Sequence, residues 1–134
     1  MKSTETTISE ALIAALESAV GKANLLVADE EKTDYGSDET EDYHFMPGLV
    51  VKPGSASEIS AVMQLANEYK IPVTPRGAGT GLSGGALPVF GGIVLSTERL
   101  NKIIEIDERN LQATVEPGVV NQVFRDAVEA KGLF

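Results

Sequence analysis

The sequence predicts an α+β fold: a β-α-β unit, then mixed and antiparallel strands, with helices at the flanks. Three observations carry that expectation. Two short apolar runs, at residues 49–51 and 71–75, enclose a stretch with helical apolar spacing. Three more strand-like runs follow, at residues 92–96, 103–107 and 111–115. Helical patterns closed by glycine stand near both ends of the chain.

Taken in order, residues 1–7 are polar and read as frayed. Residues 9–20 read as an amphipathic helix with Leu12, Ile13, Leu16 and Val20 on one side and Gly21 as its stop. Residues 29–44, DEEKTDYGSDETEDYH, are acidic and irregular, which fits a solvated loop or a short helical turn. Asp34, Gly36 and Asp38 hint at a calcium loop, but the rest of that alternating ligand pattern is missing, and no metal ligand is assigned. His44, the one histidine, reads as a surface residue rather than a catalytic base.

From Pro47 the pattern sharpens. Leu49–Val51 is a strand closed by Lys52-Pro53-Gly54. Ser55 and Glu58 have the spacing of a capping box. A helix is expected over residues 56–70, with Ile59, Val62, Met63, Ala66 and Tyr69 at helical spacing. Residues 71–75 are a strand with prolines near its ends, so the two strands should be parallel with a right-handed crossover. The runs at 103–107 and 111–115 are close enough for an antiparallel hairpin. Residues 119–131 read as a last helix that buries Val120, Phe124, Ala127 and Val128 and stops at Gly132.

Composition sets outer bounds. The length of 134 residues suits one folding unit, and the absence of cysteine excludes disulfides, thiol nucleophiles and zinc–thiolate sites. No apolar run approaches the roughly 20 residues that span a bilayer. Glu5, Glu10 and Glu17 interrupt any signal-peptide core, so a cytoplasmic protein without a membrane span is expected. The formal charge of -9 is uneven. Residues 1–45, an acidic segment with a leading helix, carry 11 acids and 3 bases, whereas residues 46–134 carry 9 acids and 8 bases. Such a surface repels nucleic acid, so no nucleic-acid partner is expected.

Between the strands at 71–75 and 92–96 lies the densest chemical signal, TPRGAGTGLSGGALP, with five glycines and one arginine. Successive main-chain N–H groups without side chains in the way can turn inward around a phosphate, and an arginine adds charge and a fork of donors. A glycine-rich turn without a ligand is the plain alternative. Gly-Lys-Ser/Thr does not occur, which excludes the P-loop. Gly79-Thr80-Gly81-Leu82-Ser83-Gly84 does match G-x-G-x-x-G, with Glu98 downstream, but that dinucleotide motif must open a helix. Gly85, Pro88, Gly91 and Gly92 leave no room for one before the next strand.

PVTPRGAGTGLSGGALP, then GGIVLSTERLNKIIEID, then ATVEPGVVN, resemble the N-terminal FAD-binding region of the FAD-linked oxidases, the vanillyl-alcohol oxidase / p-cresol methylhydroxylase (PCMH) type. The nearest branch resembles the glycolate oxidase FAD subunit and the D-lactate dehydrogenases. The resemblance spans residues 45–134 and implies the first subdomain of the PCMH-type FAD-binding fold, with residues 46–134 an incomplete N-terminal part of the FAD-binding domain. It implies that Pro75, Arg76, Gly77, Ala78, Gly79, Thr80 and Gly81 wrap the FAD pyrophosphate, with Leu82, Ser83, Gly84 and Gly85 continuing the wall. Arg76 would fix the loop, offset phosphate charge or form a structural ion pair. Pro117 and Gly118 would make a second contact. Thr80 stands where members with covalent flavin often carry a histidine, which implies non-covalent FAD.

The implied activity is oxidation of a small 2-hydroxy acid, with hydride transfer to the flavin. The family's catalytic residues lie in a later region, so none is assigned, and the chain is expected to be a truncated piece that is inactive alone and binds FAD weakly or not at all. Its sheet and last helix should then expose apolar surface that favours self-association. A stand-alone nucleotide- or phosphate-binding module and a fold-related flavin reductase remain as alternatives.

Overall fold

The structure, a computed structural model, describes residues 8–134. The segment 1–7, read above as frayed, lies outside the described residues. Helix α1 (Glu10–Val20) begins at Ser9, whose Oγ accepts from Leu12 N at 3.2 Å, and ends at Gly21 with φ 84°. A strand that the sequence did not announce, β1 (Leu25–Leu26), follows it. Two residues are too few to show a period. The acidic stretch opens with a short helix, α2 (Asp29–Lys32), and a 3-10 turn at Thr33–Gly36. Strand β2 (Leu49–Val51) and helix α3 (Ala56–Glu68) lie where expected. Ser55 Oγ accepts from Glu58 N at 3.2 Å. Glu58 reaches back to Gly54 N at 2.7 Å, one residue before its expected partner. The helix closes with Lys70 at φ 55° and Ile71 N donating to Ala66 O at 2.9 Å.

Strands β3 (Val73–Arg76), β4 (Ile93–Ser96), β5 (Ile103–Asp107) and β6 (Gln112–Val115) and helix α4 (Asn121–Glu129) complete the fold. The main sheet has the order β1-β2-β4-β3, with β1 antiparallel and the other three parallel. The strands of the β-α-β unit are therefore parallel but not adjacent: β4 is inserted between β2 and β3. That leaves β3 at the edge, which suits its prolines. Ile93 N donates to Pro72 O and Thr97 N to Arg76 O, both at 2.9 Å, so the nitrogen of Pro75 faces the open side where no donor is needed.

Alternation along the strands sends Leu49, Val51, Ile93 and Leu95 into one core with Leu12, Leu16 and Val20 of α1 and Val62 and Ala66 of α3. Leu12 and Leu16 are fully buried, and burial of such a side chain contributes about 2 kcal/mol. Val50 and Val94, on the other face, are also fully buried, so the sheet is covered on both sides, as parallel strands require.

This corrects the expectation of exposed apolar surface for the main sheet; the exposure falls on the β5–β6 hairpin and, as expected, on α4. Ile104 is 64% exposed and Leu111 74%. Leu111 sits in the hairpin turn at φ 53° rather than in β6. Asp107 closes that turn, accepting from Arg109 N and Asn110 N at 3.0 Å and from the Asn110 amide at 2.6 Å. Of the four side chains expected to be buried by the last helix, only Val128 is buried; Phe124 and Ala127 are half-buried and Val120 is 55% exposed. The physical reason is that α4 contributes nothing to the main core. The chain it follows is the two-stranded hairpin, to which Lys131 is tied by an ion pair to Glu108 at 2.5 Å. Gly132, at φ 74°, ends α4 as expected.

Candidate functional site

The three parallel strands end on the same side, with Arg76 the last ladder residue of β3 and Lys52 and Glu98 just beyond the ends of β2 and β4. This is the side on which open α/β sheets hold ligands. Tyr35, from the acidic stretch, joins all three. Its hydroxyl donates to Glu98 Oε2 at 3.0 Å, and the cations of Lys52 and Arg76 each lie 5.6 Å from its ring centre. Lys52 Nζ pairs with Glu98 Oε1 at 2.7 Å.

The electrostatics follow from that geometry. The hydrogen bond to Glu98 raises the Lys52 ammonium above its ordinary value. Burial pushes the Glu98 carboxyl up, but the hydrogen bonds from Lys52 and Tyr35 outweigh it, so the group ends below its ordinary value. Burial also raises the Tyr35 phenol. Glu98, which a dinucleotide reading would have placed on a ribose, is thus engaged by the protein.

Beside this cluster lies a cleft of about 530 Å³. Arg76, Gly77 and Ala78 line it from the end of β3, Gly118 from the turn after β6, and Val120 and Val123 from the start of α4. The cleft therefore brings together both segments singled out in the sequence. Pro75 stays in the edge strand and Pro117 is exposed outside the lining. Residues 79–85 continue away from the cleft as an exposed loop, with only Gly79 and Gly84 half-covered. No helix forms between Gly77 and Gly92, as the glycine and proline spacing required.

The loop has two kinds of glycine. Gly79 and Gly84 have φ of 73° and 71°, a region that favours glycine. Gly77, Gly81 and Gly85 have ordinary φ, and a Cβ at any of them would meet nothing within 4 Å. Their missing side chains leave open volume rather than relieve strain. Across the same stretch, none of the main-chain N–H groups from Gly77 to Ser83 donates to a protein acceptor among the described residues. The Thr80 and Ser83 hydroxyls have no partner there either. Seven consecutive donors there have no acceptor among the described residues, and at two of them, Gly77 and Gly81, a Cβ would enter open space.

Gly118 is different. Its N–H donates to Leu100 O at 2.7 Å, and a Cβ there would collide with Thr97 O. Its glycine is explained by close approach of two backbones. Arg76 is different again. Among the described residues it forms no ion pair; Nη1 donates to Ser37 O at 2.6 Å and Nη2 to Asp34 O at 3.2 Å. His44 is exposed, with Nε2 3.1 Å from Thr33 O, and lies outside the loop and cleft.

Sequence reasoning missed Tyr35, Lys52, Asn101 and Thr40. Asn101 lines the cleft, and Thr40 Oγ1 accepts from Gly84 N at 2.9 Å. One signal was available: Tyr35 is an aromatic inside a run of acids, a position that favours an anchor over a solvated loop.

Comparison with known proteins agrees with this geometry. The family described as "FAD binding domain" matches residues 47–134. The chain is 47% identical over 100 residues to glycolate oxidase subunit GlcD of Bacillus subtilis, covering 75% of this chain and 21% of that protein. It is 40% identical over 116 residues to a D-lactate dehydrogenase of Anaerostipes hadrus, covering 85% of this chain and 24% of that one. The fold is similar to the crystal structure of p-cresol methylhydroxylase with substrate bound, with a TM-score of 0.82 and 26% identity over 94% of this chain and 26% of the other. The chain thus spans about a quarter of the length of these relatives. The family resemblance and the PCMH-type fold expected from the three sequence blocks are both borne out. No helix among the described residues is long and apolar enough to cross a membrane.

Proposed function

The chain belongs to the FAD binding domain family, and on that footing we propose that it holds the pyrophosphate of a non-covalent FAD in a cytoplasmic 2-hydroxy acid oxidoreductase of the glycolate or D-lactate class. The observation that carries this reading is the run of N–H groups from Gly77 to Ser83 without acceptors among the described residues, with open space where a Cβ would stand at Gly77 and Gly81. When bound, the flavin supplies the redox chemistry by accepting a hydride from the substrate.

The chain's own residues bind and orient. The N–H groups of Gly77 to Ser83 would donate to phosphate oxygens, with the Thr80 and Ser83 hydroxyls adding two donors. Arg76 sets the direction of the loop and adds positive charge at its start. Gly118, together with Val120 and Val123, would close the cleft beside Gly77 and Ala78. Glu98 and Lys52 hold Tyr35 and so fix the floor. No residue of the chain is assigned to proton transfer.

Thr80 at the attachment position, with no cysteine in the chain, supports a reversible flavin. The test is made on the protein purified with its flavin. Acid precipitation should leave all flavin absorbance in the supernatant, and anaerobic glycolate or D-lactate should bleach it. Flavin retained in the precipitate would overturn the non-covalent reading. Absence of bleaching by any small 2-hydroxy acid would overturn the substrate class. Binding of ADP or pyrophosphate without preference for FAD would favour a plain nucleotide module.

A further inference from the structure

Besides the Tyr35 ring beside Arg76 and the Asp38 carboxylate beside Ala86, four hydrogen bonds join the acidic stretch to the glycine loop. Arg76 Nη1 and Nη2 donate to the carbonyls of Ser37 and Asp34. Glu39 N donates to Gly81 O at 3.1 Å, and Gly84 N donates to Thr40 Oγ1 at 2.9 Å. The first two hold the loop where it leaves β3. The last two hold both sides of the Gly81–Gly84 arch, so that Leu82 and Ser83 project between fixed points. All four contacts spare the N–H groups of Gly77 to Ser83. A segment that merely packed against the loop would have offered its carboxylates and carbonyls to those donors. This one uses the arginine, a loop carbonyl and the N–H just past the run.

The segment is itself braced. Asp38 Oδ1 accepts from Thr40 N at 2.9 Å, and Tyr35 is fixed through Glu98, Lys52 and Arg76. Its residues also lie outside the region 47–134 matched by the family.

We propose that residues 34–40 are a clamp that preorganises the glycine loop for an anionic, diphosphate-bearing ligand, with Thr40 and Arg76 as its positioning residues. This rests on the cradle reading given above. Physically, the clamp fixes the backbone before the ligand arrives, so less freedom is lost on binding. It also explains how an acidic segment can lie beside an anion site: its carbonyls face Arg76 and its hydroxyl faces a flanking N–H, so neither is spent on the N–H groups of Gly77 to Ser83.

The test compares the isotope-labelled full chain with Thr40→Val and Arg76→Lys. Lysine keeps the charge but cannot grip two carbonyls. In both variants, backbone order parameters over residues 77–85 should fall from about 0.85 to below about 0.6, with the β2 and β4 amides unchanged. FAD affinity should fall about tenfold in both. Unchanged loop order, or a loosened loop with unchanged FAD affinity, would overturn the clamp. Retained affinity in Arg76→Lys alone would show that Arg76 acts by charge and would overturn its positioning role. If the wild type shows no FAD binding at any concentration, the cradle reading fails, and the order parameters alone then decide the clamp.

Discussion

Gly79, at φ 73°, lies so close to the Arg76 guanidinium that a Cβ on it would overlap that group. The arginine is not free to move aside, because it is tied to Ser37 O and Asp34 O. Gly79→Val therefore has two effects. It strains the backbone by about 1–2 kcal/mol, and it displaces Arg76 from the acidic stretch. FAD affinity should fall by more than about tenfold and the thermal midpoint should drop by several degrees. An unchanged midpoint in calorimetry would show that Arg76 yields without cost.

Gly81→Ala separates the cradle from the fold. Its φ is ordinary and a Cβ would meet nothing within 4 Å, so stability should hold or rise by about 0.5 kcal/mol through the unfolded state. The added methyl enters the volume assigned to the ligand, so FAD affinity should fall. Titration of FAD into the variant and a thermal scan check both halves; unchanged affinity would move the ligand away from Gly81.

Gly118→Ala should do the opposite. A Cβ there collides with Thr97 O, a backbone atom that cannot rotate away. The expected loss is about 1–3 kcal/mol, measured by chemical denaturation. A neutral result would mean that the turn after β6 is free to shift.

Stability should also fall at both ends of the pH scale. Glu98 is lowered in the folded chain, so its contribution is present above the ordinary carboxylate value and is lost as pH falls through the folded one. Lys52 and Tyr35 are raised, so their contributions are present below their ordinary values, about 10 for both, and are lost as pH rises through the folded ones. Denaturation midpoints measured from acid to alkaline pH should therefore decline on both sides, and Glu98→Gln should flatten the acid side. An unaltered acid slope in that variant would place the dependence on Asp38 and Asp107, which are also lowered.

Much of this was legible in the sequence because it depends on local signals. Ser9 and Gly21 bound α1, Ser55 and Glu58 announce α3, and the proline and glycine spacing after Gly84 excludes a helix. What was not legible depends on distant partners. The insertion of β4 between β2 and β3 leaves no mark beyond the prolines of β3, which suit an edge strand without saying which strand is inserted. Apolar spacing marks one side of α4 but cannot say whether a neighbour covers it, so Val120 was misread as buried. Thr40 and Tyr35 gain their roles from Gly84 and Glu98, far along the chain. The packing of Gly118 against the backbone of Thr97 and Leu100 likewise leaves no mark in the spacing.

Everything proposed for this chain turns on the loop from Gly77 to Ser83 gripping a pyrophosphate. The most direct measurement is amide NMR of the chain titrated in parallel with FAD and with riboflavin, which carries the same ring system without the pyrophosphate. FAD should shift the amides of Gly77 to Ser83 first and most, saturably, and riboflavin should leave them in place. Equal shifts with riboflavin, or FAD shifts confined to other residues while these seven stay still, would contradict it.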